Sequence, residues 1–546
     1  MMNYTAAGRY AKLFLATVLL IVSIPVFLSL QQKGSGAVPV FSAESGFYEN
    51  GFYLEITAPE GYDVYYTLDS DTPDIFSDRY SGPIYIENTS GKSNRYAQHP
   101  NLSSGLPNHT VDKCTVVRAI AVPRLLSGLK QSRVVTKSYF VGYPEAYFDD
   151  CGIVSLVTDP DNLFDNRIGI YVTGNVLQRY YATTDQPEEQ TWKLPANYTQ
   201  KGKKWEREAS VTVWAPDRTL QMTKDVGIRI QGGANRFRMP KSLNLYARTE
   251  YDGVPYFETD LLGGERRLTT LNLTAGGNSP GTQLNDYLMS ARVYGMPYSV
   301  MRYKPYVMFL DGEYWGFYWL TESYNGDYLR QVYDLGGEDV IIIKEAAVDE
   351  GYDGDLALYR QMTDFFNSAD MSLEENYVKA CEMIDISSFT DYYATLVYIA
   401  RTQDWPVSNE SLWRTRNVSD APYADGKWRW MLFDCNAFCM EESLTEHNTL
   451  EYAIEKSEIF RSLWNNAQFR ERFRTRILEI ADQCFAAEDM SNFLEEFRQN
   501  MLAPVTRSRA RFTNDREKAE TSFLNKLAGH EAFFRNRRAV VESWFS

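Results

Sequence analysis

The hydrophobic period of this chain changes once, near residue 355, and that change limits what it can fold into. Upstream, GIVSLVTD, ASVTVWAP, VGIRIQGG, SLNLYART, PYVMFLDG and YWGFYWLTE are short apolar or alternating runs bounded by turn residues, which is how strands read. One helix-period stretch, TQLNDYLMSARVYG, interrupts them. Downstream, LALYRQMTDFFNS, YVKACEMID, SSFTDYYATLVYIART, FRERFRTRILEIADQCF and SNFLEEFRQNML read as helices; in SSFTDYYATLVYIA apolar residues recur at three and four spacings and give one buried face. The pattern predicts an α+β protein whose region 146–546 has two lobes, β-rich over about 146–350 and helical over about 351–546, with a cleft between them.

Before these lobes the texture is purely β. FYLEIT, YDVYYTL, GPIYIEN, TVVRAIAVP and SRVVTKSYFVG, separated by Gly, Pro and Asp clusters, predict a small sandwich within 35–145. The insert from Asn88 to Lys113 is longer and more polar than such a sandwich needs and reads as a mobile loop. Residues 1–34 hold a different signal. Arg9 and Lys12 precede an uncharged apolar run from Leu13 to Leu30, long enough to cross a bilayer and longer than a usual signal-peptide core. The expectation is a single-pass anchor helix with a cytosolic N-terminus and extracellular domains after it; cleavage and secretion is the alternative.

Charge and cysteine usage exclude some chemistry. A formal charge of −16 argues against a nucleic-acid partner. Six cysteines at 114, 151, 381, 435, 439 and 484, with four scattered histidines, match no zinc spacing and do not make a disulfide framework.

Five stretches carry the candidate chemistry. In IRIQGGANRFRMPKSLNLYAR, Gly232 and Gly233 permit close backbone approach to an anion, and Arg236, Arg238 and Lys241 bring positive charge; a hairpin with a solvated basic tip is the plainer alternative. Asp286, near the start of a helix, either turns toward a sheet lysine or faces solvent, where its charge suits the helix dipole. LDGEYW marks a tight hairpin whose second strand ends at Glu322, where the lobes should meet. Finally Asp404 and Asn409 stand five apart in RTQDWPVSN, and Asp434 ends a strand in KWRWMLFDCNAF. An acid at the acceptor hydroxyl, an amide on a metal and a second acid after a hairpin are the parts of a phosphotransferase, in order.

Two resemblances follow from these residues. Phe41-Ser42, Ser45-Gly46, YYTLDSDTPD, YSGPIYI, VRAIAV and SYFVG resemble the chitobiase C-terminal-type β-sandwich, which implies a fold and an accessory role toward a cell-surface polysaccharide. From about 150 to 540, IQGGANR…PKSLNLYAR, LNLTAGGNSP…LNDYLMSARVYGMPYS, YKPYVMFLDGEYWGFYWLTES, QDWPVSNESLW and KWRWMLFDCNAF are similar to the CotH-type, spore-coat-associated atypical kinases. That likeness implies ATP with Mg²⁺ or Mn²⁺ as cofactors and a surface or spore-coat protein as acceptor. It assigns Lys241 to phosphates and Asp404 to the acceptor. Asn409 and Asp434 would hold the metal, and Gly232, Gly233, Arg236 and Glu322 would sit at the nucleotide.

One position departs from the pattern. The family shows Trp-Asp-hydrophobic-Asp where this chain has Phe433-Asp434-Cys435-Asn436. Asn436 can still ligate through its carbonyl but brings no charge, so weaker metal binding is expected. A non-catalytic scaffold with a kinase fold is therefore the main alternative, and a glycoside hydrolase with two facing carboxylates is a further one.

Overall fold

The computed structural model describes residues 37–546, apart from 125–129, 149, 186, 280, 407 and 438. The expected anchor run, 13–30, lies outside the described residues; among those, no helix is long and apolar enough to cross a membrane. All six cysteines are free thiols.

The predicted sandwich is present. One sheet carries the strands Gly46–Tyr48, Val135–Val141, Thr115–Pro123, Tyr62–Thr67 and Asp78–Arg79 in that spatial order. Two short pairs, Phe52–Leu54 with Ile84–Ile86 and Val40–Phe41 with Ile56–Thr57, complete it. Leu54, Ile56, Val64, Ile86, Val117, Ala119 and Tyr139 form its small core.

Alternation on the two longest strands then does something a free-standing domain would not. Val117 and Tyr139 point into the sandwich core, whereas Val116 and Phe140 point into the main core of the protein. Phe140 meets Trp214 and Phe309 edge-on at 5.5 and 4.9 Å. The insert 88–113 is not the mobile loop its composition suggested. The Glu313 carboxylate accepts the backbone N–H groups of Arg95, Tyr96 and Ala97 at 2.7, 3.1 and 2.6 Å. Asn101 donates to Phe164 O, and the C-terminal helices hold the Gly105, Leu106 and Asn108 backbone through Arg511 and Asn514.

Next comes a closed seven-stranded barrel, running Gly152–Val157, Arg207–Trp214, Leu220–Ile230, Leu243–Tyr246, Thr270–Thr274, Glu313–Glu322 and Tyr303–Leu310 around the circle. The Asp-Gly hairpin is as expected: Leu310 pairs with Glu313, and Asp311 and Gly312 both take positive φ, 50° and 85°.

The helical half is built on a second sheet, ordered Ser299–Val300, Arg429–Leu432, Ser411–Thr415, Val340–Lys344 and Ala347–Glu350. Its first strand and its last two come from the segment assigned by texture to the β-rich lobe, so the change of period near 355 does not coincide with the change of lobe. Helix Ile386–Tyr398, capped by Asp385 onto Ser387 and Ser388, is buried almost end to end beside this sheet. The long helices Ala487–Thr513 and Arg516–Ser543 pack on each other, and the first also lies along barrel strand Glu313–Glu322. Gly316, at φ 131°, allows that contact: a Cβ there would stand 2.6 Å from Ser508 Oγ. One continuous core runs through both halves.

Candidate functional site

Strand register brings the acid and amide residues together. Ser411 lies opposite both Lys344 and Met431, so the chain enters this sheet after Asn409 and leaves it toward Asp434 at one end. There Asn409 Nδ2 donates to Asp434 Oδ2 at 2.9 Å. Asp404, Asn409 and Asp434 all have left-handed backbones, with φ of 58°, 49° and 58°. Asp and Asn tolerate that region better than other side chains, and non-glycine residues held there cluster at functional sites. The Asp404 loop is pinned at its base. Trp405 is buried, Arg401 donates to Ala437 O at 2.8 Å, and Met440 N–H donates to Ile399 O at 2.8 Å. Asp404 itself is exposed at the tip.

The Gly-Gly segment reaches the same place by a third route. Gly232, at φ 103°, and Gly233 have open space where a side chain would stand. Beyond them a 3₁₀ turn, Ala234–Phe237, brings Asn235 down to Gly277. A Cβ on Gly277 would lie 2.8 Å from Asn436 Nδ2 and 3.4 Å from Asn235 Nδ2, so these three residues meet. The two cations do less than the charge count implied. Arg236 is absorbed by backbone carbonyls, donating to Gly232 O at 2.5 Å and Gln200 O at 2.9 Å, and it holds the turn in shape. Lys241 is 2% exposed, with Nζ 2.5 Å from Arg236 O and 3.8 Å from the centre of the Tyr198 ring. Burial pushes its ammonium down to about 7. Arg238 lies over the Phe237 ring.

Asp286 takes neither of the two places its sequence left open. Its Oδ1 accepts the Cys435 N–H at 2.6 Å, so it faces the Asp434 segment rather than Lys241 or solvent. Burial, and then the Asp434 charge, push its carboxyl up to about 7, against the pull of the Cys435 N–H, Arg401 and the Asn436 amide. Glu322 is wholly buried at the barrel edge, where Arg302 binds it at 2.7 Å and Arg266 binds it as well. That pairing makes it a fixed ion-pair centre.

The donor set suits a hard cation. Asp434, Asn409 and Asp286 offer carboxylate or amide oxygens, the chemistry Mg²⁺ takes together with water. Among the described residues no group of three or more His, Cys, Asp or Glu could hold a metal ion by itself. Lys344 stands at the same sheet end with Nζ 4.6 Å from the Phe433 ring centre, yet no motif in the sequence marked it. Asn235 and Gly277 were legible only as members of quoted motifs. Arg401 adjoins the Asp404 loop and had no signal of its own.

Comparison with known families gives two matches. The CotH kinase protein family matches residues 228–541, and the chitobiase/beta-hexosaminidase C-terminal domain matches residues 43–94. No curated protein matches the chain. The first match spans more than half of the sequence and contains Asp286, Asp404, Asn409 and Asp434, and the chain belongs to the CotH kinase protein family.

Proposed function

We propose that this protein is a membrane-anchored, externally facing kinase that transfers the γ-phosphoryl group of ATP to Ser or Thr hydroxyls of a surface or coat protein. The observation that carries the proposal is the Asn409–Asp434 hydrogen bond at the sheet end where the Gly-rich turn also arrives, through Asn235 and Gly277.

In the reaction the acceptor oxygen bonds to the γ-phosphorus, the bond from that phosphorus to the β–γ bridging oxygen breaks, and ADP leaves. Asp404, exposed on a loop fixed by Trp405 and Arg401, orients the hydroxyl and takes its proton. The backbone around Gly232 and Gly233 binds phosphate oxygens, and Lys241, once its Nζ leaves the Arg236 carbonyl and holds its proton against the phosphates, adds a positive charge in a dry setting. Asn409 and Asp434 would hold Mg²⁺, which would supply neutralisation of phosphate charge. The sandwich serves as a polymer-binding accessory. In support, Tyr53 and Tyr85 are paired across two strands with rings 5.1 Å apart, and they stand 69% and 53% exposed.

The test is transfer of label from γ-³²P-ATP in Mg²⁺ or Mn²⁺, for the wild type beside Asp404→Ala and Asp434→Ala. Label that disappears in both variants supports the kinase. Absence of label, with no thermal shift from ATP and metal, would favour a scaffold, the reading motivated by an amide at Asn436.

A further inference from the structure

Asn436 is turned the wrong way to be a metal ligand. Its Oδ1 accepts the Asn278 N–H at 3.3 Å, which fixes the amide so that Nδ2 points at Asp434 Oδ1 and donates to it. The same amide also hydrogen-bonds the Asp286 carboxyl. An N–H donor thus occupies one side of the Asp434 carboxylate, and it comes from the sequence position where the pattern of the resembled family has an acid. Donating N–H groups between two carboxylates is what an uncharged residue can do where a cation belongs.

The second carboxylate is still present, on another element. Asp286 projects from helix Asn285–Val293, and that helix is firmly seated. Asn285 is bonded by His530 Nε2 at 3.0 Å, Tyr287 stacks on Trp319 at 4.4 Å, and Leu288 is fully buried. The helix delivers Asp286 Oδ1 to the N–H of Cys435, the residue between Asp434 and Asn436. Arg401 is the neighbouring cation, and its NH1 is directed to the Ala437 carbonyl. Two acids therefore share one small volume whose nearby guanidinium points to a backbone oxygen.

We propose that Asp286 is a metal-ligating carboxylate of this site and replaces, from the helix, the acid missing at position 436. The proposal rests on the kinase reading and concerns one ligand within it. Binding the cation displaces the Asn436 and Asn409 N–H groups from Asp434, and Asp434, Asp286 and, once its amide has turned over, the Asn409 carbonyl oxygen then provide the protein share of an all-oxygen shell. The chain keeps two negative charges at its metal.

The experiment is Mn²⁺ binding by the full-length protein in detergent, read as loss of the free-Mn²⁺ electron paramagnetic resonance signal, with and without ATP. Asp286→Asn keeps an oxygen acceptor for Cys435 N–H and removes only the charge; Mn²⁺ affinity is expected to fall more than ~100-fold, beyond the ~10–100-fold that loss of a residue merely supporting a ligand costs. A smaller fall, or none, overturns the assignment. Asn436→Asp reads the same question without touching the helix. If Asp286 is already a ligand, the added acid changes affinity by less than ~10-fold; if Asp286 merely holds Cys435, the wild-type site has one charge and the gain exceeds ~10-fold. Failure of the wild type to bind Mn²⁺ at all, with ATP present, sinks the kinase reading together with this one. Binding by the wild type and equally by Asp286→Asn sinks this one alone.

Discussion

Asn409 and Asp434, twenty-five residues apart in sequence, share a hydrogen bond of 2.9 Å at the end of one sheet. The bond aligns an amide and a carboxylate side by side, and it separates two roles that a single substitution in each loop can tell apart. Asp404→Ala is expected to keep nucleotide and metal binding and lose ~10²–10⁴ in transfer rate, the usual contribution of a positioned base. Asp434→Asn is expected to lose the metal-dependent thermal shift with ATP as well as transfer. Thermal shift and label incorporation on the same preparations check both.

Lys241 should make folding and nucleotide binding depend on pH. Its folded value is about 7 against an ordinary 10.5, because burial disfavours the ammonium. Below about pH 7 both folded and unfolded chains carry the proton and the burial cost is felt in full. As pH climbs from there, the folded chain loses the proton first, so this residue's contribution to stability rises with pH. Lys241→Met should remove that slope, seen by comparing urea midpoints of the two proteins at several pH values. ATP phosphates would restore the proton, so calorimetry near pH 8 in buffers of different ionisation enthalpy should register proton uptake on binding. Equal observed heats in all the buffers would argue against phosphate contact at Lys241.

Gly277 is the point where the Gly-rich turn meets the Asp434 segment. Its φ of 50° and the 2.8 Å approach of Asn436 leave no room for a methyl group. Gly277→Ala should cost about 1–2 kcal/mol for a strained left-handed residue and slow transfer further by displacing Asn436. Denaturant melts and initial rates measure the two effects separately.

The Glu313 carboxylate anchors three backbone N–H groups of the 88–113 insert. Removing it in Glu313→Ala strands those donors, at roughly 1–3 kcal/mol for each that stays buried. Limited proteolysis should then cut within the insert, where the wild type resists.

Sequence texture delivered the sandwich, six of the seven barrel strands, the Asp-Gly hairpin and the helices quoted above, because each depends on local periodicity; it did not read barrel strand Thr270–Thr274 or the longest helix, Arg516–Ser543. It also delivered Asn409 and Asp434 as partners, because their order along the chain matched a known set of parts. It missed what depends on distant residues. The insert looked free because its anchor, Glu313, lies 217 positions from Tyr96. Arg236 looked like a ligand for anions because a basic residue in a Gly-rich turn offers no sign that carbonyls from 198–200 will surround it. Asp286 sat in the first turn of a helix, where the dipole gives an acid a sufficient reason to be, and nothing local said which way that helix would roll.

Val116 and Phe140 turn into one core while Val117 and Tyr139, their immediate neighbours, turn into the other. A module joined this way has a compass bearing as well as a tether length. If the sandwich grips a surface as proposed, that contact would fix the direction in which the Asp404 loop faces, and an acceptor laid out along the surface would meet the loop from a constant side.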